Sequence, residues 1–411
     1  MFERPERPRV VIVGGGFAGL AAAQALPPSL EVTLVDPGEW FEFLPNVHEL
    51  VSGVKTPAAL RLDRRNAVER AGHCFRRARV ESIDPRRRRV HFADDTLLEY
   101  DALVVAAGAE SATYGIPGVH QHALIFRDVD QCARIGRRLS ELASSGRPAR
   151  IVIVGGGLEG IEALGEALRR YRDDPNLRFT LVEARERLLP GGAPAFDPAI
   201  RRLCAPHRVA IRAGMKVKAV TADAVLMTGG ASLPADATIW TGGPVPPPVL
   251  ARSGLTPSGR EWAEVDETLR HRVYPQVFVP GDAAGFPAGL AKQAYHALDM
   301  GKHAAANVER QLQGLPLEAF RPSPKPMLVS FGDLTTFLAT DKLVIAAPAL
   351  AAAKEAVYQL VMAQLDGTDR LDALSRLAGR LCGAGQHLLW PVVSSPRALL
   401  GQANLQILSF A

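Results

Sequence analysis

Cysteine and long apolar segments are both scarce in this chain of 411 residues, and each scarcity excludes a class of protein. Its four cysteines, Cys74, Cys132, Cys204 and Cys382, lie at least 58 residues apart. This spacing excludes a C-x-x-C redox pair, a zinc ribbon and a dense disulfide framework, so we expect four free thiols and no metal site. The longest uncharged apolar stretch, 343–353, has 11 residues, whereas a bilayer-spanning helix needs about 20. We therefore expect no transmembrane helix.

A strong charge of one sign and a secretory signal are lacking as well. The chain has 48 basic and 43 acidic residues, and no basic stripe alternates with aromatic residues, which argues against nucleic-acid binding. Charged residues precede the first apolar run, so we expect a cytoplasmic protein. Four arginines, 86–89, separate two strand-like segments and predict a solvated hairpin tip. A surface for a partner or a membrane is the alternative.

A strand, a glycine-rich turn and a helix follow one another near the start of the chain. The apolar run 9–13 is typical of a buried strand, Gly14-Gly15-Gly16-Phe17-Ala18-Gly19 follows it, and residues 20–26 suit a helix. The next predicted strand, 31–35, leads into Asp36. A G-x-G-x-x-G turn between strand and helix, with an acid about 20 residues further on, is the pattern of a dinucleotide-binding unit.

The same pattern returns 141 residues later in the chain. A predicted strand at 150–154 leads into Gly155-Gly156-Gly157-Leu158-Glu159-Gly160, and a predicted helix then extends to Arg170. The following strand, 178–182, leads into Glu183. An interval of this size is a domain and not a solenoid repeat, so we predict two copies of one domain-sized unit.

Each glycine of such a motif has a physical task. The first permits the tight turn, the second lets the backbone approach a pyrophosphate, and the third lets the helix pack on the strand. The pyrophosphate then lies at the helix N-terminus, where free N–H groups and the helix dipole favour negative charge. Two dinucleotide sites are therefore expected, and two α/β units without ligands are the alternative.

Three further segments are predicted either to face a ligand or to connect two domains. A predicted strand over 99–108 ends on small residues, and another over 273–282 ends in Gly281-Asp282. A carboxylate placed there suits a hydrogen bond to a sugar-like hydroxyl chain, although a simple turn would give the same pattern. The proline-rich stretch 242–248 breaks regular structure and predicts a crossing between domains.

These motifs together resemble flavoproteins of the pyridine-nucleotide-disulfide oxidoreductase superfamily, over nearly the whole chain up to about Gly332. The resemblance implies an α/β fold with two Rossmann-like dinucleotide-binding domains, the NAD(P)H domain being inserted in the FAD domain, plus a C-terminal helical or α+β tail. The implied boundaries are 1–115 and 246–325 for the two parts of the FAD domain, 116–245 for the NAD(P)H domain and 326–411 for the C-terminal domain or tail.

The resemblance also assigns cofactors to the two motifs, FAD to the first and NADH to the second. The residues implied for FAD are Gly14, Gly15, Gly16, Phe17, Ala18, Gly19, Asp36, Pro45, Val80, Ala107, Gly108, Gly281, Asp282 and Lys292. Those implied for the nicotinamide cofactor are Gly155, Gly157, Gly160, Glu183, Thr241 and Gly242. Glu183 would bond the ribose 2′-hydroxyl of NADH and repel the 2′-phosphate of NADPH. Arg185 and Arg187 keep NADPH open as an alternative.

Two segments, 41–50 and 237–243, resemble type II NADH:quinone oxidoreductases and apoptosis-inducing-factor-like ferroptosis suppressors. Residues 291–297 and 315–332 are closer to the second branch, and the A-Q-x-x-x-Q pattern of the quinone oxidoreductases is absent after Asp282. We therefore predict an FAD-dependent enzyme that accepts hydride from NADH and passes electrons to a quinone or similar small acceptor without a redox dithiol. The alternatives are a flavoprotein reductase for a sulfur compound, redox protein or specialised metabolite, and a non-enzymatic FAD/NADH-sensing protein.

Three residues are implied for the reaction itself. Lys292 would place a positive charge near the flavin, where negative charge collects on reduction. Glu162 would hold the nicotinamide amide, with a capping or solvated helix residue as the alternative. Tyr295 would stack near the flavin or gate the acceptor, unless it is a packed aromatic residue. His48 and His296 are candidates for proton delivery or ordinary polar residues.

The tail, 346–411, shows no chemical motif. Its apolar residues recur at helical spacing and predict an amphipathic helix, the residues being Leu371, Leu374, Leu377 or Ala378, and Leu381. Core packing, a homodimer contact and peripheral association with the inner face of a membrane all remain open for this helix.

Overall fold

A computed structural model describes residues 7–340, 343–367 and 406–409 of the chain. Cys382 and the amphipathic helix predicted around Leu371–Leu381 lie outside the described residues. The first part of the chain has the element order β1 (Arg9–Val13), α1 (Phe17–Ala25), β2 (Glu31–Asp36), β3 (Trp40–Glu42), α2 (Glu49–Ser52), β4 (Arg61–Asp63), α3 (Arg64–Arg70), β5 (Cys74–Arg77), β6 (Val80–Asp84), β7 (Arg89–Phe92), β8 (Leu97–Glu99) and β9 (Ala102–Val105).

The middle of the chain repeats this alternation of strands and helices. Its elements are β10 (Glu110–Ser111), α4 (Val119–His122), β11 (Ala123–Ile125), α5 (Val129–Ser144), β12 (Ala149–Val154), α6 (Leu158–Tyr171), β13 (Leu177–Val182), α7 (Phe196–Cys204), β14 (Val209–Arg212), β15 (Val217–Val220), β16 (Ala224–Met227), β17 (Ser232–Pro234), β18 (Ala237–Trp240) and β19 (Pro244–Val245).

The remaining elements return to the first sheet and then form a separate antiparallel sheet. They are α8 (Pro248–Arg252), β20 (Ala263–Glu264), β21 (Val277–Phe278), β22 (Ala284–Gly285), α9 (Ala294–Leu312), β23 (Met327–Phe331), β24 (Thr335–Ala339), β25 (Leu343–Ala347), α10 (Leu350–Asp366) and β26 (Gln406–Ser409). Short 3₁₀ turns occur at Leu44–Asn46, Pro57–Leu60 and Gly281–Ala283.

The first parallel sheet has the strand order β21-β9-β1-β2-β5. Its central strand pairs in parallel on both sides, with Val10 opposite Val32 and Ala102. Val10 and Ile12 are fully buried, as expected for a parallel strand covered on both faces. Because β21 comes from residues 277–278, the sheet is assembled from two stretches of chain with the middle part between them.

The second parallel sheet has the order β11-β18-β12-β13-β14 and is built from the middle part of the chain. Two segments that connect the middle part to the rest pair as short antiparallel strands, with Glu110 opposite Val245. The expectation that the proline-rich stretch breaks regular structure is wrong for Pro244 and Val245. Proline is tolerated there because the pair is a two-stranded edge.

Two strand predictions are confirmed and one is corrected. Residues 80–84 and 89–92 form an antiparallel hairpin whose arginine tip is exposed. The strand predicted over 273–282 is reduced to Val277–Phe278, because Pro275 and Pro280 cannot donate a backbone hydrogen bond.

The last described strands form an antiparallel sheet in the order β23-β24-β25-β26, and α10 packs against it. The C-terminal module is thus α+β where it is described. The predicted α/β class is confirmed for the chain as a whole, since both five-stranded sheets are parallel and alternate with helices.

Two close backbone contacts join these layers. Gly301 of α9 lies so near Ala18 of α1 that a Cβ atom would clash with the Ala18 carbonyl oxygen. Gly165 of α6 lies against β23, where a Cβ atom would be 2.6 Å from the Gly332 nitrogen. Helix α6 is thereby packed on both its own sheet and the C-terminal module.

The Gly165 contact generates a stability prediction. Ala in place of Gly normally stabilises a helix interior by about 1 kcal/mol. Gly165→Ala should instead lower the free energy of unfolding by about 1–3 kcal/mol, because the added methyl group forces α6 and β23 apart. Gly229→Ala is the control, since a Cβ atom at Gly229 would meet no heavy atom within 4 Å. Urea denaturation of both variants checks this, and a stabilised Gly165→Ala protein would contradict the packing described.

Candidate active site

The first glycine loop leaves an open helix N-terminus at the carboxyl edge of the first sheet. Gly14 has φ +98°, a backbone conformation that favours glycine, and a Cβ atom there would clash with the Ala106 carbonyl oxygen. A Cβ atom at Gly19 would clash with the Gly14 carbonyl oxygen. A Cβ atom at Gly16 would meet no heavy atom within 4 Å. Two glycines are therefore required by packing, and one faces open space in front of α1.

The second glycine loop has the same geometry at the second sheet. Gly155 has φ +110° and lies against the Thr241 carbonyl oxygen, and Gly160 packs against the Gly155 carbonyl oxygen. Gly157 again faces open space. The free N–H groups of a helix N-terminus in such a position suit a pyrophosphate, so both edges fit a bound dinucleotide.

A carboxylate at the end of the neighbouring strand supports each glycine loop. Asp36 accepts hydrogen bonds from the Gly15 nitrogen (2.8 Å) and the Gly38 nitrogen (2.8 Å). Glu183 accepts from the Gly156 nitrogen (2.6 Å) and the Arg185 nitrogen (2.8 Å). The two copies thus place an acid beside the loop in the same way, where a ribose hydroxyl would be within reach.

The first copy has a buried cation beside its acid. Arg64 donates to Asp36 Oδ1 (2.6 Å), to the Gly15 carbonyl oxygen (3.0 Å) and to the Gly38 carbonyl oxygen. Burial lowers the pKa of Arg64, and the nearby Asp36 opposes that shift. In the second copy Leu188 lies on the equivalent side of the loop. A Cβ atom at Gly156 would be 2.8 Å from its Cδ2 atom. Sequence reasoning missed Arg64, which lies in no motif.

Asp282 and Lys292 lie together at the same edge of the first sheet. Gly281 packs against Ala18 of α1, and Asp282 follows it in a short 3₁₀ turn. Burial raises the pKa of Asp282, and Lys292 opposes this. Lys292 donates to the Ala284 carbonyl oxygen, and its Nζ lies 4.1 Å from the centre of the Trp262 ring. Burial lowers the pKa of Lys292 to about 8, against the opposing effect of Asp282.

Glu162 is buried on α6 and already has protein partners. Its Oε1 accepts from Lys354 Nζ (2.7 Å) and from the Ser330 nitrogen (3.0 Å), and its Oε2 lies 3.5 Å from His48 Nδ1. Burial raises the pKa of Glu162 and, together with Lys354, lowers that of His48. The tail, in which no chemical motif was predicted, thus contributes Lys354 of α10 as a partner of a predicted site residue.

The other predicted residues are divided between the two edges. Ala107 and Gly108 follow β9 at the first edge, and Tyr295 is the second residue of α9, which begins shortly after Lys292. Burial raises the pKa of Tyr295 to about 12 and lowers that of His296. Pro45 lies in a 3₁₀ turn, and Val80 begins β6 shortly after the edge strand β5.

Thr241 and Gly242 follow β18 at the second edge. Thr241 is buried and donates to the Val154 carbonyl oxygen (2.8 Å). Gly242 is held by the Tyr114 hydroxyl, which donates to its carbonyl oxygen (2.6 Å). The side chain of Thr241 thus supports the loop, and the backbone of both residues lines the edge.

A model of pyridine nucleotide-disulphide oxidoreductases matches residues 8–301. The chain belongs to this family. The match covers both glycine loops, both strand-end acids and Lys292. It ends before Lys354, so the contact from the C-terminal module to Glu162 lies outside the matched region.

Several known proteins are similar over most of their length. Demethylphylloquinone reductase of Synechocystis sp. is 26% identical over 378 residues, which cover 86% of this chain and 91% of that protein. Type II NADH:quinone oxidoreductase of Staphylococcus saprophyticus is 26% identical over 358 residues, covering 80% and 88%.

Solved structures show the same fold. NDH2 of Plasmodium falciparum, in complex with NADH, aligns with a TM-score of 0.77 at 15% identity and covers 87% of this chain and 95% of its own. Sulfide:quinone oxidoreductase of Aquifex aeolicus aligns with a TM-score of 0.76 at 20% identity and covers 88% and 92%. The predicted oxidoreductase class and two-domain flavoprotein resemblance are thus confirmed.

Membrane spans and metal clusters are both lacking from the described part of the chain. None of the helices described there is long and apolar enough to cross a bilayer. No group of three or more His, Cys, Asp or Glu side chains in 7–340, 343–367 or 406–409 is arranged to hold a metal ion.

The Arg64 contacts generate a second prediction. Arg64→Leu should lower the free energy of unfolding of the FAD-free protein by about 3 kcal/mol, because it leaves the half-buried Asp36 without its cation. Arg65→Leu is the matched control: its side chain is 53% exposed and forms a surface ion pair with Glu69, so the change should be about 0.5 kcal/mol or less. Urea denaturation measures both, and equal effects would contradict a special role for Arg64.

Proposed function

We propose that this protein is an FAD-dependent enzyme that takes hydride from NADH and passes electrons to a quinone or similar small acceptor. The observation that carries the proposal is the duplicated edge: each parallel sheet presents a glycine loop, an open helix N-terminus and a strand-end acid. The names of the most similar relatives support the same chemistry. FAD, when bound, would accept the hydride from NADH and then pass the electrons to the acceptor.

The first edge is the proposed FAD site. Its α1 N-terminus would bind the pyrophosphate, Asp36 a ribose hydroxyl, and Asp282 the hydroxyl chain next to the flavin ring. Pro45, Val80, Ala107 and Gly108 would contribute contacts around these groups. Arg64 would keep the Asp36 carboxylate oriented, since it donates a hydrogen bond to Oδ1.

The second edge is the proposed NADH site. The α6 N-terminus would bind the pyrophosphate and Glu183 the 2′-hydroxyl, while Thr241 and Gly242 would offer backbone to the nicotinamide end. The Glu183 carboxylate would repel the 2′-phosphate of NADPH, and this repulsion supports NADH as the substrate. Glu162 and Tyr295 would border the space between the two cofactors, and Glu162 would act as a positioning residue fixed by Lys354.

A thiol relay is not part of the proposed mechanism. Cys132 and Cys204 are buried, and burial raises the pKa of both thiols, to about 12 for Cys204. A thiol held in its neutral form is a poor nucleophile. Cys74 is exposed on an edge strand, and Cys382 lies outside the described residues. Sulfur-compound reduction through a cysteine pair is accordingly not favoured over a quinone-type acceptor.

The proposed enzyme has two cofactor-binding domains and a C-terminal module. Residues 1–115 and 246–325 would form the FAD-binding domain, 116–245 the NADH-binding domain and 326–411 the C-terminal module. A quinone acceptor is lipid-soluble, which supports a cytoplasmic protein with peripheral contact at the inner face of the membrane. A homodimer is compatible with the proposed chemistry.

Spectroscopy of the purified protein tests the proposal directly. The protein should carry a yellow flavin that NADH bleaches without oxygen, and menadione should restore the colour within seconds. Reduction by NADH followed by very slow reoxidation with every quinone tested would exclude the acceptor class. A protein that binds no FAD when it is folded with excess cofactor would exclude the whole proposal.

Lys292 gives a prediction within this function. Lys292→Met should retain FAD but lower its two-electron midpoint potential by about 30 mV at pH 7, equivalent to about 1.4 kcal/mol, because a positive charge favours the reduced flavin. Since the pKa of Lys292 is about 8, its charge is present below that pH and lost above it. The difference from wild type should therefore shrink above pH 8. Lys302→Met on the exposed side of α9 is the control, and an unchanged potential in Lys292→Met would contradict the role.

A further inference from the structure

Trp262 lies beside the short strand that follows Asp282. It immediately precedes β20, and β20 pairs in parallel with β22, with Ala263 opposite Ala284. A Cβ atom at Gly285 would be 3.4 Å from the Trp262 Cβ atom, which is ordinary van der Waals contact. Strand pairing therefore fixes the backbone that carries the indole next to the turn that carries Asp282.

Three groups from this part of the chain act on the half-buried Lys292 ammonium. Its Nζ donates to the Ala284 carbonyl oxygen of β22 and lies 4.1 Å from the centre of the Trp262 ring. The Asp282 carboxylate is the charged group that acts on it, and it opposes the lowering of the Lys292 pKa by burial. The ammonium is thus bound by a carbonyl, attracted by a carboxylate and covered by a ring.

The backbone of Lys292 does not by itself fix the position of its ammonium. Residues 286–293 lie outside any helix or strand, and α9 begins only at Ala294. A lysine head group is carried on a flexible four-carbon stem. Contacts at the far end of the side chain must therefore hold Nζ in place, and the Ala284 carbonyl and the Trp262 ring supply them.

The ring has two opposing effects on the charge of the amine. An aromatic face attracts a cation, and the attraction is stronger where water is excluded. The same ring keeps water away from the ammonium, and this desolvation favours the neutral amine. An aliphatic side chain in place of the indole would keep the desolvation but lose the attraction, so it would favour the neutral amine.

We infer that Trp262 is a positioning residue for Lys292, whose ammonium its ring and the Ala284 carbonyl hold beside Asp282. Trp262 thereby governs how much positive charge Lys292 presents at the first edge. The consequence for the flavin rests on the proposed FAD site, where a positive charge would favour the reduced cofactor. Trp262 acts on the flavin through Lys292 and takes no part in the chemistry.

Titration of the Lys292 amine tests the contact itself. The lysines of the purified protein are reductively methylated with ¹³C-formaldehyde, and the Lys292 signal is the one that Lys292→Met removes. Its titration midpoint should lie near pH 8 in the wild-type protein and lower in Trp262→Leu. Trp262→Phe keeps an aromatic face and should titrate close to wild type. An unchanged midpoint in Trp262→Leu would overturn the inference.

A double-mutant cycle on the FAD-loaded protein tests the route through Lys292. The ratio of reduced to oxidised flavin is measured against a reference dye at pH 7.5. Trp262→Leu should lower this ratio about threefold, because part of the Lys292 charge is lost. In a Lys292→Met background the same change should alter the ratio less than about 1.5-fold, since the coupling is then absent. A threefold fall in both backgrounds would assign Trp262 to packing alone and contradict the inference.

Failure of the proposed function gives a different result. A folded protein that takes up no FAD excludes the proposed function, while the Lys292 titration still decides whether Trp262 holds the amine. Trp262→Met is a second aliphatic variant with the same expected titration, and it replaces Trp262→Leu if that protein does not fold.

Discussion

The structure depends on the contact between a helix start and a strand end at each glycine turn. Gly19 and Gly160 leave no room for a side chain, because each packs against the carbonyl oxygen of the first glycine in its own motif. This contact sets the direction in which α1 and α6 leave their sheets. It also aims their free N–H groups at the open space beside Gly16 and Gly157, where anions are favoured.

The two copies differ in how they neutralise the acid beside the loop. Asp36 and Glu183 each accept two hydrogen bonds from backbone N–H groups, and Asp36 has the buried Arg64 as a further partner. A buried ion pair fixes geometry at the cost of desolvation. The Asp36 carboxylate is therefore held by a buried side chain as well as by the backbone.

The C-terminal module is connected to the proposed chemistry through one charged contact. Lys354 reaches across from α10 to Glu162 on α6, and Gly165 and Gly332 bring the two backbones together one turn further on. A buried lysine requires a nearby carboxylate, so the pair fixes the position of the module relative to the second edge.

The sequence by itself determined the duplicated strand, turn and helix units, the α/β class and both strand-end acids. Local periodicity and glycine spacing specify these features, because each depends on residues close together in the chain. The paired segment at Pro244–Val245 was beyond such rules, because proline can be accommodated where the neighbouring strand permits it. The partners Arg64, Trp262 and Lys354 were decided only by the tertiary structure. They come from segments 28 to 192 residues away from the groups they serve, and no local pattern encodes such contacts.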